Sequence, residues 1–201
     1  MTETRLSGVK LLKPNRFGDH RGFFAETYSR RVFTGLGVDA ELVQDNYSLS
    51  AAVGTVRGLH FQSSPHAQAK LVRCGRGAIF DVAVDIRRGS PTYGQWVGYT
   101  LSAANGAQLY IPAGFAHGFA TLEPNSEIVY KCSDYYAPET EGSLHWDDPD
   151  IGIEWPVTGE AILSKKDAEA PKLAELESPF TWEGGALSFS LQEAQASLSR
   201  P

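Results

Sequence analysis

The sequence predicts an all-β protein, a double-sheet jelly roll of about eight or more strands with a few short helices. Three observations carry that prediction. Most segments alternate apolar and polar residues with a period of two rather than 3.6. Gly, Pro, Asn and Ser interrupt them at close, regular spacing. Only two stretches read as helical.

Taken in order, the expected strands are Gly22–Tyr28, Glu41–Tyr47, Val56–Gln62, Lys70–Cys74, Ala78–Ile86, Tyr93–Leu101, Gln108–Ile111 and Glu127–Cys132. The clearest is Ala78–Ile86, where Phe80, Val82, Val84 and Ile86 share one face and Asp81 and Asp85 mark the other. Breakers fall between strands, as at Gly89-Ser90-Pro91, Asn105-Gly106 and Pro124-Asn125-Ser126. Ser29–Leu36 is expected to form a short helix capped by Ser29 and ended by Gly35 and Gly37. Leu191–Leu198 has weaker helical periodicity. There is no internal repeat and no linker before residue 160, so residues 1–184 are expected to form one domain. Residues 185–201, small and polar, are expected to be a mobile appendage.

Composition narrows the function classes. Apolar residues make up 42% and charged residues 21% of the 201, as in ordinary globular proteins. The net charge of -6 argues against a nucleic-acid surface, which needs clustered cations to displace counterions. An anionic small ligand is compatible with that charge, provided its pocket concentrates the few cations it needs. No run has the length of a membrane span, and Met1–Lys10 lacks the apolar core of a signal peptide. Cys74 and Cys132 sit in apolar strands without metal-ligand spacing, which suits buried free thiols in the cytoplasm.

Five histidines are present, and two have a telling context. In Val56–Gln62 the residues Gly58, His60 and Gln62 share a face, and Lys70 opens the next strand. If these strands pair as a hairpin, His60 and Lys70 fall nearly opposite each other, an imidazole beside an ammonium suited to a negatively charged substrate. His117 follows a Pro-x-Gly turn, the element that aims a histidine into the barrel of cupin jelly rolls. A cupin metal site also needs a second histidine and a Glu. Gln62 stands where that histidine would be, so a metal site is undersupplied and no cofactor is expected. Taken alone, Tyr130 reads as core packing with its hydroxyl at the rim, and Asp167 as a solvated loop carboxylate.

An ordered set of motifs resembles the dTDP-4-dehydrorhamnose 3,5-epimerase family. The set runs from Phe17–Phe24 through Val43–Asn46, Arg57–Gln62, Lys70–Arg73, Asp81–Asp85, Gly114–Phe119, Tyr130-Lys131, Tyr135–Pro138 and Ile153–Pro156 to Leu163–Asp167. The resemblance implies inversion at C3 and C5 of a 4-keto-6-deoxyhexose carried on thymidine diphosphate. The ketone acidifies both positions and serves as the electron sink. On that basis His60 is the base, oriented by Asp167 in a His–Asp dyad, and Tyr130 is the acid on the opposite face. Lys70 stabilises the enolate, and Arg57 and His117 hold sugar and diphosphate. Strict alternation turns Arg57 away from the face of His60, so either Arg57 reaches round from the strand's start or a bulge intervenes. Arg21, Glu26, Gln44, Asn46, Glu141 and Lys166 are implied as nucleotide contacts, with Tyr136 stacking on thymine. A homodimer that exchanges N-terminal strands is also implied, with Arg21 serving the partner's site. The alternatives are a C3-only epimerase of the same family, a metal-dependent cupin enzyme, and a non-catalytic carbohydrate-binding jelly roll.

Overall fold

A computed structural model describes residues 1–184, and the expected tail and the Leu191–Leu198 helix lie outside the described residues. Thirteen strands are present among them. β1 (Thr2–Glu3), β2 (Lys10–Leu12), β3 (Phe17–Asp19) and β4 (Gly22–Phe24) precede helix α1 (Arg30–Gly35). Then come β5 (Gln44–Ser50), β6 (Val56–Gln62), β7 (Lys70–Arg76), β8 (Ala78–Asp85), β9 (Trp96–Ser102), β10 (Gln108–Ile111), β11 (Phe115–Thr121), β12 (Ser126–Cys132) and β13 (Glu141–Ser143). A short helix, α2 (Lys165–Ala168), follows.

Two antiparallel sheets face each other, one in the order β1-β2-β10-β7-β12-β5, the other β13-β6-β11-β8-β9. The jelly roll predicted from the alternation is therefore the observed fold. Between the sheets lies a core that includes Val72, Ile79, Leu101, Leu109, Phe119 and Ile128. A second cluster covers the outer face of the five-stranded sheet, where Leu59, Phe61, Val82, Val84 and Ile86 meet Leu144, Ile151 and Ile153. The apolar stripe of β8 points there. Its other face, carrying Asp81 and Asp85 at 0% exposure, turns toward the interior. A third cluster packs α1 through Phe33 on Leu12, Leu71 and Tyr110, the outer face of the six-stranded sheet.

The expected β6–β7 hairpin does not form. β6 pairs with β11 and β13, while β7 pairs with β10 and β12, so the segment between them crosses from one sheet to the other. His60 and Lys70 still line one cavity, each from its own sheet. Strands β1, β2, β3, β11 and β13 were not expected from the alternation, and the other differences are at element ends. The expected Gly22–Tyr28 strand stops at Phe24, and Tyr93 belongs to a turn in which its N–H donates to the Ser90 carbonyl. Ser29 stands at the N-cap of α1, but its hydroxyl makes no capping bond. Both cysteines are buried and free, and no helix among the described residues is long and apolar enough to cross a membrane.

Candidate active site

The site begins with an irregularity in β6. His117 of β11 lies opposite His60 and Phe119 lies opposite Arg57, so two steps along β11 span three along β6. The extra residue is a bulge, one of the two expected ways of bringing Arg57 round, and it puts Arg57 and His60 on one side. Gly58 makes it possible. Its φ is +121°, and a Cβ there would sit 2.6 Å from the Gly118 Cα and 2.7 Å from the His117 carbonyl oxygen. The Arg57 guanidinium is anchored by Nε donating to Ser50 Oγ at 3.1 Å. Arg57, His60, Lys70, His117, Tyr130 and Asp167 all line one cavity of about 430 Å³.

His60 and Asp167 form a close pair, Nε2 to Oδ1 at 2.6 Å, with Asp167 only 3% exposed. Asp167 is neither in a loop nor solvated. It sits in α2, whose N-cap Ser164 accepts the Asp167 N–H at 3.1 Å, a Ser-x-x-Asp capping arrangement. Burial works against the Asp167 charge. The hydrogen bond and charge of His60, the Ser164 hydroxyl and the Gly58 N–H outweigh it, holding the carboxyl below its usual range. An ionised Asp167 accepts from Nε2, which leaves the other imidazole nitrogen able to take a proton.

A second His–Asp pair lies deeper. His117 Nε2 meets Asp81 Oδ1 at 2.8 Å, with His117 at 8% and Asp81 at 0% exposure. Asp81 Oδ2 has no hydrogen-bond partner among the described residues. Burial lowers the His117 pKa, and the positive charges of Lys70 and His60 push the same way against the pull of Asp81. Lys70 is lowered mainly by burial, with Cys132, Asp81 and Glu141 acting in the opposite sense. From the six-stranded sheet comes Tyr130, whose pKa burial and Cys132 raise, opposed by Arg57 and Asn46.

His60, Lys70 and Tyr130 also border an adjoining lobe of about 300 Å³. Gln44, Asn46, Tyr136 and Glu141 line it together with Gln62 and Gln68. Here Lys166 Nζ contacts Glu141 Oε1 at 2.6 Å, and the Tyr136 hydroxyl donates to Glu141 Oε2 at 3.2 Å. Burial opposes the Glu141 charge, but Lys166, Tyr136 and His60 hold its pKa down. Tyr136 is 58% exposed at the mouth of this lobe.

Every expected site residue except Arg21 and Glu26 lines one of these two lobes. Arg21 sits on the β3–β4 hairpin, bonded to Asp19, and Glu26 lines a separate groove near Phe17 and Phe33. Asp81, Ser164, Gln62 and Gln68 were given no site role from the sequence. The Ser-x-x-Asp spacing was a legible signal for Ser164, Gln62 and Asp81 were marked only by the faces they share in their strands, and nothing local marked Gln68. Among the described residues no three His, Cys, Asp or Glu side chains converge as metal ligands.

A family profile described as dTDP-4-dehydrorhamnose 3,5-epimerase matches residues 3–175. The dTDP-4-dehydrorhamnose 3,5-epimerase of Sinorhizobium fredii is 55% identical over 177 residues, 88% of this chain and 91% of that one. The crystal structure of a dTDP-6-deoxy-D-glucose-3,5-epimerase from Legionella pneumophila, in complex with dTDP-4-keto-L-rhamnose, superposes with a TM-score of 0.86. It is 45% identical and covers 90% of this chain and 97% of its own. A 3'-monoepimerase from Streptomyces bikiniensis is more distant at 38% identity, with a TM-score of 0.82 over 87% of this chain and 88% of that one.

Proposed function

The chain belongs to the dTDP-4-dehydrorhamnose 3,5-epimerase family, and from that premise we propose which of its residues carry the chemistry. The activity is an isomerase reaction. It converts dTDP-4-dehydro-6-deoxy-D-glucose to dTDP-4-dehydro-L-rhamnose by inversion at C3 and C5, as in deoxysugar and rhamnose biosynthesis. The hydrogens on both carbons are acidic because each lies beside the C4 ketone. A base takes one, the electrons move into the carbonyl as an enolate, and an acid on the other face returns a proton.

The observation that carries the assignment is the His60–Asp167 pair at 2.6 Å on one wall of a cavity whose other sheet supplies Tyr130. His60 is the base, with Asp167 orienting it and stabilising the imidazolium that forms. Tyr130 delivers the proton from the opposite sheet, and its raised pKa keeps the phenol protonated until the carbanion accepts. Lys70, its proton loosened by burial, faces the enolate oxygen, where new negative charge restores its preference for the charged form. Arg57 and neutral His117 hold the sugar and diphosphate. Gln44, Asn46, Glu141 and Lys166 take the nucleotide, and Tyr136 stacks on thymine.

A homodimer completes the site. Phe17, Phe23 and Phe24 on the β3–β4 hairpin are 65%, 60% and 70% exposed, and β5 is an open sheet edge beside Tyr47 at 63%. Exposed aromatics on an unattached hairpin fit a second copy's free edge. That pairing carries Arg21 and Glu26 to the partner's nucleotide lobe. The two buried thiols favour a cytoplasmic location.

NMR of the product formed in deuterated water tests the reaction. Deuterium is expected at both C3 and C5. Incorporation at C3 alone, with C5 protiated after long incubation, assigns the chain to the single-centre epimerases instead.

A further inference from the structure

Gln62 occupies the β6 position two after His60 and is 4% exposed. Its amide spends both ends on backbone. Nε2 donates to the His66 carbonyl at 2.8 Å and to the Tyr135 carbonyl at 3.1 Å, and Oε1 accepts the Ala137 N–H at 3.1 Å. Two carbonyls and one N–H fix which end is nitrogen, and a turned amide would set like against like. The last two contacts bracket one residue, Tyr136. Its own N–H donates to Gln44 Oε1 at 3.0 Å, and Gln68 Nε2 holds the Asp134 carbonyl at 2.8 Å. The loop carrying the tyrosine is thus fastened at each peptide from Asp134 to Ala137, from three different strands or connections.

We infer that Gln62 is a positioning residue for nucleotide recognition: it sets the Tyr136 ring for stacking by clamping the peptides on either side of it. This rests on the assignment of Tyr136 as the stacking residue. A tyrosine 58% exposed has little packing of its own to fix its ring, so its backbone must define the plane it offers. Gln62 and Glu141 are also register partners in the β6–β13 pair, and Glu141 Oε2 accepts the Tyr136 hydroxyl. One rung of the sheet therefore holds the tyrosine at both ends, backbone through Gln62 and phenol through Glu141. The position where a metal-binding jelly roll would place a ligand is given to the base-reading loop.

Gln62→Met keeps the length of the side chain and removes all three hydrogen bonds. With the full chain, dTDP affinity by calorimetry and KM for the sugar nucleotide should each weaken by roughly tenfold, the scale of one base-stacking contact. Turnover at saturation and deuterium exchange at C3 and C5 should stay within about twofold, because the proton-transfer groups keep their own supports. The decisive measurement is a double-mutant cycle. In a Tyr136→Ala background, Gln62→Met should cost no further dTDP affinity. Additive losses would mean that Gln62 acts independently of the tyrosine and overturn the inference, as would unchanged affinity in the single variant. If Tyr136→Ala itself leaves dTDP affinity intact, the stacking assignment fails instead. Should Gln62→Met not fold, Gln62→Leu removes the same three bonds without adding charge and enters the same cycle, with the same loss expected.

Discussion

A carboxylate as enclosed as that of Asp167 keeps its charge only because His60, Ser164 and Gly58 all donate to it or attract it. The dyad is therefore built from both partners, and removing the imidazole should abolish proton abstraction while leaving the nucleotide lobe intact. His60→Asn is expected to lower turnover by about 10²–10⁴-fold, the usual share of a positioned general base. Affinity for dTDP should change only a few-fold, and near-wild-type turnover would sink the mechanism. The residues that line the cavity were legible in the sequence because their motifs occur in family order. The pairing of His60 with Asp167 across 107 residues could not be derived locally. Asp81 stayed hidden for a different reason. Alternation shows which residues share a face of β8 but not which face is inward, and here the charged face is the interior one.

At the scale of elements, β6 shows what periodicity can and cannot say. Its limits, Val56–Gln62, agree with the sequence reading, and the tension over Arg57 left a bulge as one of two ways out. Its partners did not agree, because proximity in sequence favours a hairpin while a jelly roll sends neighbouring strands to opposite sheets. Helix α2 was missed because four residues are too few for a periodic signal. The bulge also makes a prediction. Gly58→Ala combines a φ of +121° with backbone contacts of 2.6 and 2.7 Å, which no side-chain rotation can relieve. The variant should lose about 2–4 kcal/mol in denaturant unfolding, the sum of backbone strain and overpacking. Because relief must come from re-registering β6 against β11, turnover of the surviving folded fraction should fall as well. A variant with wild-type stability would show that the close approach to Gly118 is not tight.

At the scale of the whole molecule, the proposed homodimer turns on two residues that stand apart from the cavity. The cavity gathers the proposed reacting groups from both sheets, yet Arg21 and Glu26 stand outside it, and the hairpin that bears Arg21 exposes Phe17, Phe23 and Phe24. None of this was legible from pattern alone, since alternation in β3 and β4 is the same whether their apolar residues face the core or a partner. If the hairpin crosses to a second copy, each site takes His60 from one chain and Arg21 from the other. Arg21→Ala and His60→Asn homodimers should then both be poor enzymes at low substrate concentration. Allowed to exchange subunits, they should regain activity, because each mixed dimer contains one site with both residues intact. With random exchange half the dimers are mixed and half their sites are whole, so about a quarter of wild-type activity is expected. Were Arg21 to serve its own chain, every site in the mixed dimer would carry one of the two lesions. The mixture would then give only the average of the two parents. Light scattering on the same samples should report a dimer throughout, and a monomer of full activity would refute the exchange.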